Sequence, residues 1–274
     1  MAHACVALAL LTCTTLTAAR ALAAEAPDAQ PAAPGLDGRA IMLKVEASPR
    51  GKDLSARAVW RLFNSSRRER VRETRFYRLE APQADELRAR WLLVFDAPPD
   101  VRDTALLVWN PKAAEERPSQ WIYLASYRKV KRIAAGASGS AFLGTEFSFE
   151  DLTERLADDD SHALLRAEPI GSVNHFVVES TPREKDSPYA KRIQWVDPES
   201  WTVSRIDFHG PQGELEKTLR SQWSRVGGAW VAVRLEMENQ RNGHRTLVEV
   251  SEPRVDTGLS EEIFAVSRIE RGGR

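Results

Sequence analysis

From Leu54 onward, apolar and polar side chains alternate with a period of two. Ala56, Ala58, Trp60 and Leu62 alternate with Arg57, Val59 and Arg61, and Arg70, Arg72, Thr74 and Phe76 alternate with Val71, Glu73, Arg75 and Tyr77. Successive side chains of a strand point to opposite faces, so this pattern predicts half-buried strands. The stretches Leu87–Phe95 (LRARWLLVF) and Thr104–Trp109 (TALLVW) are more continuously apolar, as expected of strands covered on both faces. Gln120–Tyr127 follows. The same grammar returns in His162–Pro169, His175–Ser180, Tyr189–Val196, Thr202–His209, Leu215–Trp223, Trp230–Met237 and Thr246–Val250. Turn-forming clusters such as Pro98-Pro99-Asp100, Asp197-Pro198, Gly227-Gly228 and Asn242-Gly243 separate these runs. About a dozen strands in series, with no helices between them, predict an antiparallel meander.

Three helical segments interrupt it. In Leu36–Ser48, Ile41, Met42 and Val45 share one helical face. Ser148-Phe149-Glu150-Asp151 matches a capping box, and Ser260 is a candidate N-cap for Glu261–Phe264. All eight Trp residues fall in or beside predicted strands, where they supply a broad apolar lining. A large sheet of this kind has to bury its inner face. The expected fold is therefore mainly β: a large curved antiparallel sheet, an incomplete barrel, with a few short helices in its mouth closing an apolar cavity.

The first residues follow a different rule. Ala4–Ala19 carries no charge, and Ala21-Leu22-Ala23-Ala24 offers the small-x-small pattern of a signal-peptidase site. Residues 1–24 are expected to be a signal peptide cleaved near Ala23 or Ala24. Residues 25–38 (EAPDAQPAAPGLDG) read as a linker, and 39–274 as one domain. Both cysteines, Cys5 and Cys13, lie in the leader, so the expected mature chain has no thiol and no disulfide. The chain has 39 basic and 39 acidic side chains. Loss of residues 1–24 removes only Arg20 and leaves a net charge of −1, a balance that gives no footprint for nucleic acid.

Catalytic patterns are missing. The five histidines have no metal-ligand spacing, and Gly136-Ala137-Ser138-Gly139-Ser140 lacks the G-x-S-x-G register of a nucleophile elbow. Asp158-Asp159-Asp160 lacks the spaced oxygen donors of a calcium loop, and no phosphate-binding glycine loop is present. No cofactor, metal or catalytic residue is expected. Two basic clusters remain. Arg68, Arg70 and Arg72 read as a solvated strand face. Arg128, Lys129, Lys131 and Arg132 are candidates for touching lipid headgroups or an acidic partner.

The block from Trp91 to Leu152 carries a family resemblance. It contains Trp109, Gln120-Trp121-Ile122-Tyr123-Leu124, Tyr127-Arg128-Lys129-Val130-Lys131-Arg132-Ile133 and Phe142-Leu143-Gly144-Thr145-Glu146-Phe147-Ser148-Phe149-Glu150-Asp151-Leu152. In order and spacing this resembles the outer membrane lipoprotein-sorting protein family, the LolA-like periplasmic proteins often associated with RND-type exporters. Ala125 stands where that family usually has Pro, and Thr145-Glu146 replaces Ser-Asp. The resemblance implies a half-barrel closed over a cavity for acyl chains and a periplasmic carrier of lipid or lipoprotein, with transient membrane contact and an RND-type exporter as a potential partner. Strand alternation and the matched motif nominate Trp60, Leu62, Trp91, Leu93, Trp109, Trp121, Tyr123 and Phe147 as cavity residues. Two other readings stay open: an accessory or sensor domain that binds a protein without carrying lipid, and a lipid hydrolase, for which no nucleophile–base pair is visible.

Overall fold

The structure is a computed structural model that describes residues 36–114 and 116–270. The expected signal peptide and cleavage site lie outside the described residues, as does most of the expected linker. Among the described residues, no helix is long and apolar enough to cross a membrane.

Helix α1 (Gly38–Glu46) begins at Asp37, whose carboxylate caps it by accepting from Ala40 N at 2.7 Å. Strands β1 (Asp53–Phe63), β2 (Glu69–Glu80), β3 (Leu87–Ala97), β4 (Ala105–Pro111), β5 (Ser119–Leu124) and β6 (Lys129–Arg132) then form a meander running outward in one direction. The chain re-enters the sheet at the far edge. Strands β7 (Asp160–Ile170), β8 (Val173–Pro182), β9 (Lys191–Val196), β10 (Val203–His209), β11 (Leu215–Val226), β12 (Ala229–Asn239) and β13 (Arg245–Val255) lead back until β13 pairs with β1. Helix α2 (Val266–Glu270) follows a 3₁₀ turn at Glu261–Phe264.

Among the described residues, all thirteen strands belong to one antiparallel sheet, and its edges, β6 and β7, do not meet. Laid flat at about 4.8 Å per strand, it would be roughly 60 Å wide. Instead a single apolar cluster joins Trp60 of β1, Phe95 of β3, Ile122 of β5, Phe208 of β10 and Met237 of β12. The sheet therefore curls toward that face into an open half-barrel.

The segment from 133 to 159 connects the two edges, and it crosses the concave face. Its turn is closed by Phe142 N donating to Phe147 O at 2.8 Å, with Leu143 and Gly144 both at positive φ. This places Phe142 and Phe147 side by side, edge-on to Trp60 at centroid distances of 6.3 and 5.7 Å. The expected capping box forms: Ser148 N donates to Asp151 Oδ2 and Asp151 N to Ser148 Oγ. Two 3₁₀ turns, Glu150–Leu152 and Ala157–Asp159, follow it instead of an α-helix.

The helices divide between the two faces. Helix α1 packs Ile41 against Val178 and Val196 on the concave side. Gly38 is required there, because a Cβ would lie 2.8 Å from the Ala163 backbone. The C-terminal segment does not enter the mouth as the sequence suggested. Phe264 and Ile269 cover the convex face of β3, β4 and β5, packing with Leu92, Val94 and Leu107. Asp53 directs the chain there: its buried carboxylate accepts from Thr257 N and Oγ1, Gly258 N and Leu259 N. Burial raises the pKa of Asp53, but these bonds outweigh it and hold the group below the ordinary carboxylate value.

Candidate functional site

Where β1 carries Ala56 and Ala58 and β12 carries Ala232, the concave face is not filled. A cavity of about 260 Å³ remains beneath the crossing segment. Trp60, Phe76, Trp91 and Leu93 wall one side, and Val248 and Val250 another, with Phe147 and Leu152 as the roof. Phe76 and Trp91 meet edge to face at 5.6 Å.

A second, more open space of about 350 Å³ adjoins the first, with Trp91, Leu219, Ala232 and Leu235 bordering both. It extends past Trp223 and Trp230 to Met42 and Val45 of α1. Each space approaches or lies within the ~300–1,000 Å³ range of small-molecule sites, and the pair lies well inside it.

The roof is fastened by buried ion pairs. Glu150 meets Arg192 of β9 and, at 3.3 Å, Arg155. Asp151 accepts from Lys217 Nζ of β11 at 2.6 Å and from Tyr189 Oη at 2.9 Å. Burial and then the adjacent Asp151 charge push the Tyr189 phenol well above its ordinary value. Glu154 accepts from Arg78 Nε at 2.7 Å and Trp91 Nε1 at 2.9 Å. Burial alone would raise the pKa of Glu154, yet Arg78, Arg50 and Arg88 together bring it down to about 2. Arg72 Nη1 of β2 donates to Leu143 O at the tip of the segment at 2.8 Å. The segment is thus tied to strands on both sides of the half-barrel.

Of the nominated residues, Trp60, Trp91, Leu93 and Phe147 line the inner cavity. Leu62 lies further along β1 in the same apolar cluster, outside the lining. Trp109, Trp121 and Tyr123 lie on the other side of the sheet, under the C-terminal segment. Trp109 and Trp121 meet there at 4.8 Å, and Trp109 Nε1 donates to Phe264 O at 3.0 Å. Their strand neighbours Leu106, Val108 and Ile122 face inward instead. These strands are apolar on both faces, so the sequence did not assign their register, and a one-residue shift exchanges the two lists. The small Ala56, Ala58 and Ala232 were also missed. Alternation marks their face, but only the packing shows that space is left above them.

Arg128, Lys129, Lys131 and Arg132 sit together on the β5–β6 hairpin, beside Tyr127, which is 71% exposed. Lys129 and Lys131 lie on an edge strand, where lysine also discourages pairing with another sheet. Arg132 donates to Ser119 Oγ and stacks over Trp121. The other cluster differs from its expectation as a solvated face: Arg72 is buried, over the Phe95 ring. Among the described residues, no group of three or more His, Cys, Asp or Glu side chains is placed to hold a metal ion.

A domain from Vibrio parahaemolyticus described as outer membrane lipoprotein-sorting shares this fold, with 29% identity and a TM-score of 0.80 over 85% of this chain and 98% of its own. A DUF1329 family protein from Desulfovibrio piger matches at 25% identity and a TM-score of 0.80, over 85% of this chain and 97% of its own. A family model described as an uncharacterized protein family matches residues 88–271, more than half of the sequence. The chain belongs to that family, and its fold is that of the outer membrane lipoprotein-sorting proteins. A LolA superfamily protein from Nitrosomonas europaea shares the LolA-like fold at 19% identity and a TM-score of 0.65, over 85% of this chain and 99% of its own. No curated protein matches the sequence. The half-barrel agrees with the fold expected from strand period and from residues 91–152.

Proposed function

We propose that this LolA-like protein is a periplasmic, non-enzymatic carrier. It takes up a lipid, or the acyl chains of a lipoprotein, in the concave cavity and moves it between membranes. The observation that carries this reading is the pair of adjoining, mostly apolar spaces bordered by Trp91, Leu219, Ala232 and Leu235 beneath a fastened roof. Each methylene removed from water contributes about 0.8 kcal/mol, so a long acyl chain crosses an aqueous gap only when something shields it. The lipoprotein-sorting description of the Vibrio relative supports the same reading.

The exposed Tyr127 and the basic residues beside it form the end that meets a membrane surface. Aromatic and cationic side chains together favour an anionic headgroup layer. An RND-type exporter is the proposed membrane partner. The expected leader would place the protein in the periplasm.

One observation favours a second reading. Phe142 and Phe147 of the crossing segment are nearly fully buried and already fill one end of the half-barrel. An accessory or sensor domain would be filled in this way throughout and would carry nothing. Native mass spectrometry of protein purified from periplasm separates the two readings. The carrier retains a lipid adduct that organic extraction removes. Protein that is empty in every preparation and does not take up a fluorescent fatty acid would overturn the carrier reading.

A further inference from the structure

Beside the outer space, sharing Glu46, Ser48, Arg50 and Glu154 with it, lies a strongly charged recess. Three guanidiniums, those of Arg50, Arg78 and Arg88, converge there on the single buried carboxylate of Glu154. Arg78 is well bonded. The other two are not. Arg50 Nη1 comes no closer to Glu154 than 3.9 Å. Arg88 Nη2 lies 3.0 Å from Glu154 Oε2 without hydrogen-bond geometry, and Arg88 Nε is buried with no acceptor.

Glu46 lies 3.7 Å from Arg88, its second oxygen already accepting from Ala157 N, and the Asp159 carboxylate also acts on Arg88 from further off. Lys52, Glu80 and Asp256 stand on the exposed rim, where water screens them. The inner recess therefore has guanidinium N–H groups on Arg88 and Arg50 left unused. Burial, together with the neighbouring Arg78 and Arg88 charges, lowers the proton affinity of Arg50, although Glu154 and Glu46 oppose this. Unbonded donors, buried on Arg88 and part-exposed on Arg50, suit a compact anion with several acceptor oxygens.

The arrangement also joins the recess to the apolar space. The carboxylate that gathers the arginines accepts from Trp91 Nε1, and the same indole walls both cavities. We infer that Arg50 and Arg88 form a phosphate-binding subsite at the mouth, so that the cargo is an acidic amphiphile with its headgroup at Arg50 and its acyl chain past Trp91. This rests on the carrier reading for the acyl chain, but not for the anion.

Three probes on the full chain test it: a lysophosphatidic acid, the monoacylglycerol with the same acyl chain, and inorganic phosphate. The lysophosphatidic acid should bind at least about tenfold more tightly than the monoacylglycerol, because charge-assisted bonds are the strong ones. Arg50→Gln should remove that preference, lowering affinity for lysophosphatidic acid far more than for the monoacylglycerol, and Arg50→Lys should restore part of it. Equal binding of both lipids by the native protein would overturn the subsite and leave the carrier reading standing. If neither lipid binds, but phosphate raises the melting temperature of the native protein and not of Arg50→Gln, the anion site holds as a free-phosphate site and the carrier reading falls. No response to phosphate and no lipid preference would sink the proposal.

Discussion

Lys217 Nζ of β11 lies 2.6 Å from Asp151 Oδ2, joining a strand of the returning meander to the segment that crosses between the two edges. Both side chains are nearly fully buried. Removing one member of such a pair leaves an uncompensated charge in a dry site, which costs about 3–5 kcal/mol. Asp151→Ala should therefore lower the urea midpoint strongly. Replacing both members with apolar side chains, as in Asp151→Leu with Lys217→Met, should recover part of the loss, since a buried pair is often replaceable as a unit. A double variant no more stable than Asp151→Ala would contradict this account of the roof.

The acid limb of stability should depend on Glu154. Its folded-state pKa, about 2, lies below the ordinary value of 4.5. A depressed carboxylate contributes stability that is fully present above its unfolded pKa and is lost as pH falls through the folded value. The native protein should lose a few kcal/mol between about pH 4.5 and 2 on this account. In Glu154→Gln stability at pH 7 should be lower and the acid limb flatter. Chemical denaturation at a series of pH values measures both. Tyr189 has the opposite sign: its raised pKa means that its contribution is present at neutral pH and is lost only in strong alkali.

Filling the junction between the two spaces tests where the cargo lies. Ala232 borders both and is half-buried. Ala232→Phe should reduce uptake of a fluorescent fatty acid by about tenfold or more, since several methylenes at about 0.8 kcal/mol each would lose their site. The circular dichroism spectrum should not change. Undiminished uptake would move the binding site elsewhere.

The convex face should behave differently. Phe264 is 1% exposed over β3 and β4, so Phe264→Ala is expected to cost about 3–5 kcal/mol through the cavity it leaves. Fatty-acid affinity, measured where the variant remains folded, should stay close to native. A loss of affinity matching that of Ala232→Phe would mean that the two faces are not independent.

For the hairpin, Lys129→Glu with Lys131→Glu should weaken co-sedimentation with anionic vesicles, each basic residue near such a surface being worth about 1 kcal/mol. Binding to neutral vesicles, and of fatty acid, should not change. Equal co-sedimentation of native and variant protein would assign these lysines to edge protection alone.

The sequence by itself determined the strands and their punctuation. Period-two alternation placed Ala56, Ala58, Trp60 and Leu62 on one face of β1, and pairing with β2 and β13 preserves that face. It also determined α1, the reciprocal Ser148–Asp151 caps and the Ser260 cap, because these are local hydrogen-bonding patterns a few residues long. Residues 91–152 pointed to the family as well.

Only the tertiary structure decided what covers each face. Trp109, Trp121 and Tyr123 read as well for one side of the sheet as for the other, since β4 and β5 are apolar on both. Which side they take depends on where a C-terminal segment more than a hundred residues away comes to lie, and that is set by Asp53 holding residues 257–259. The basic residues Arg50, Arg78 and Arg88 are scattered along the chain with nothing local to connect them. They become one site because β2, β3 and the turn before β1 bring them to a single buried carboxylate carried by the crossing segment. Local chemistry fixes the elements, whereas contacts distant in sequence fix the cavity and its charge.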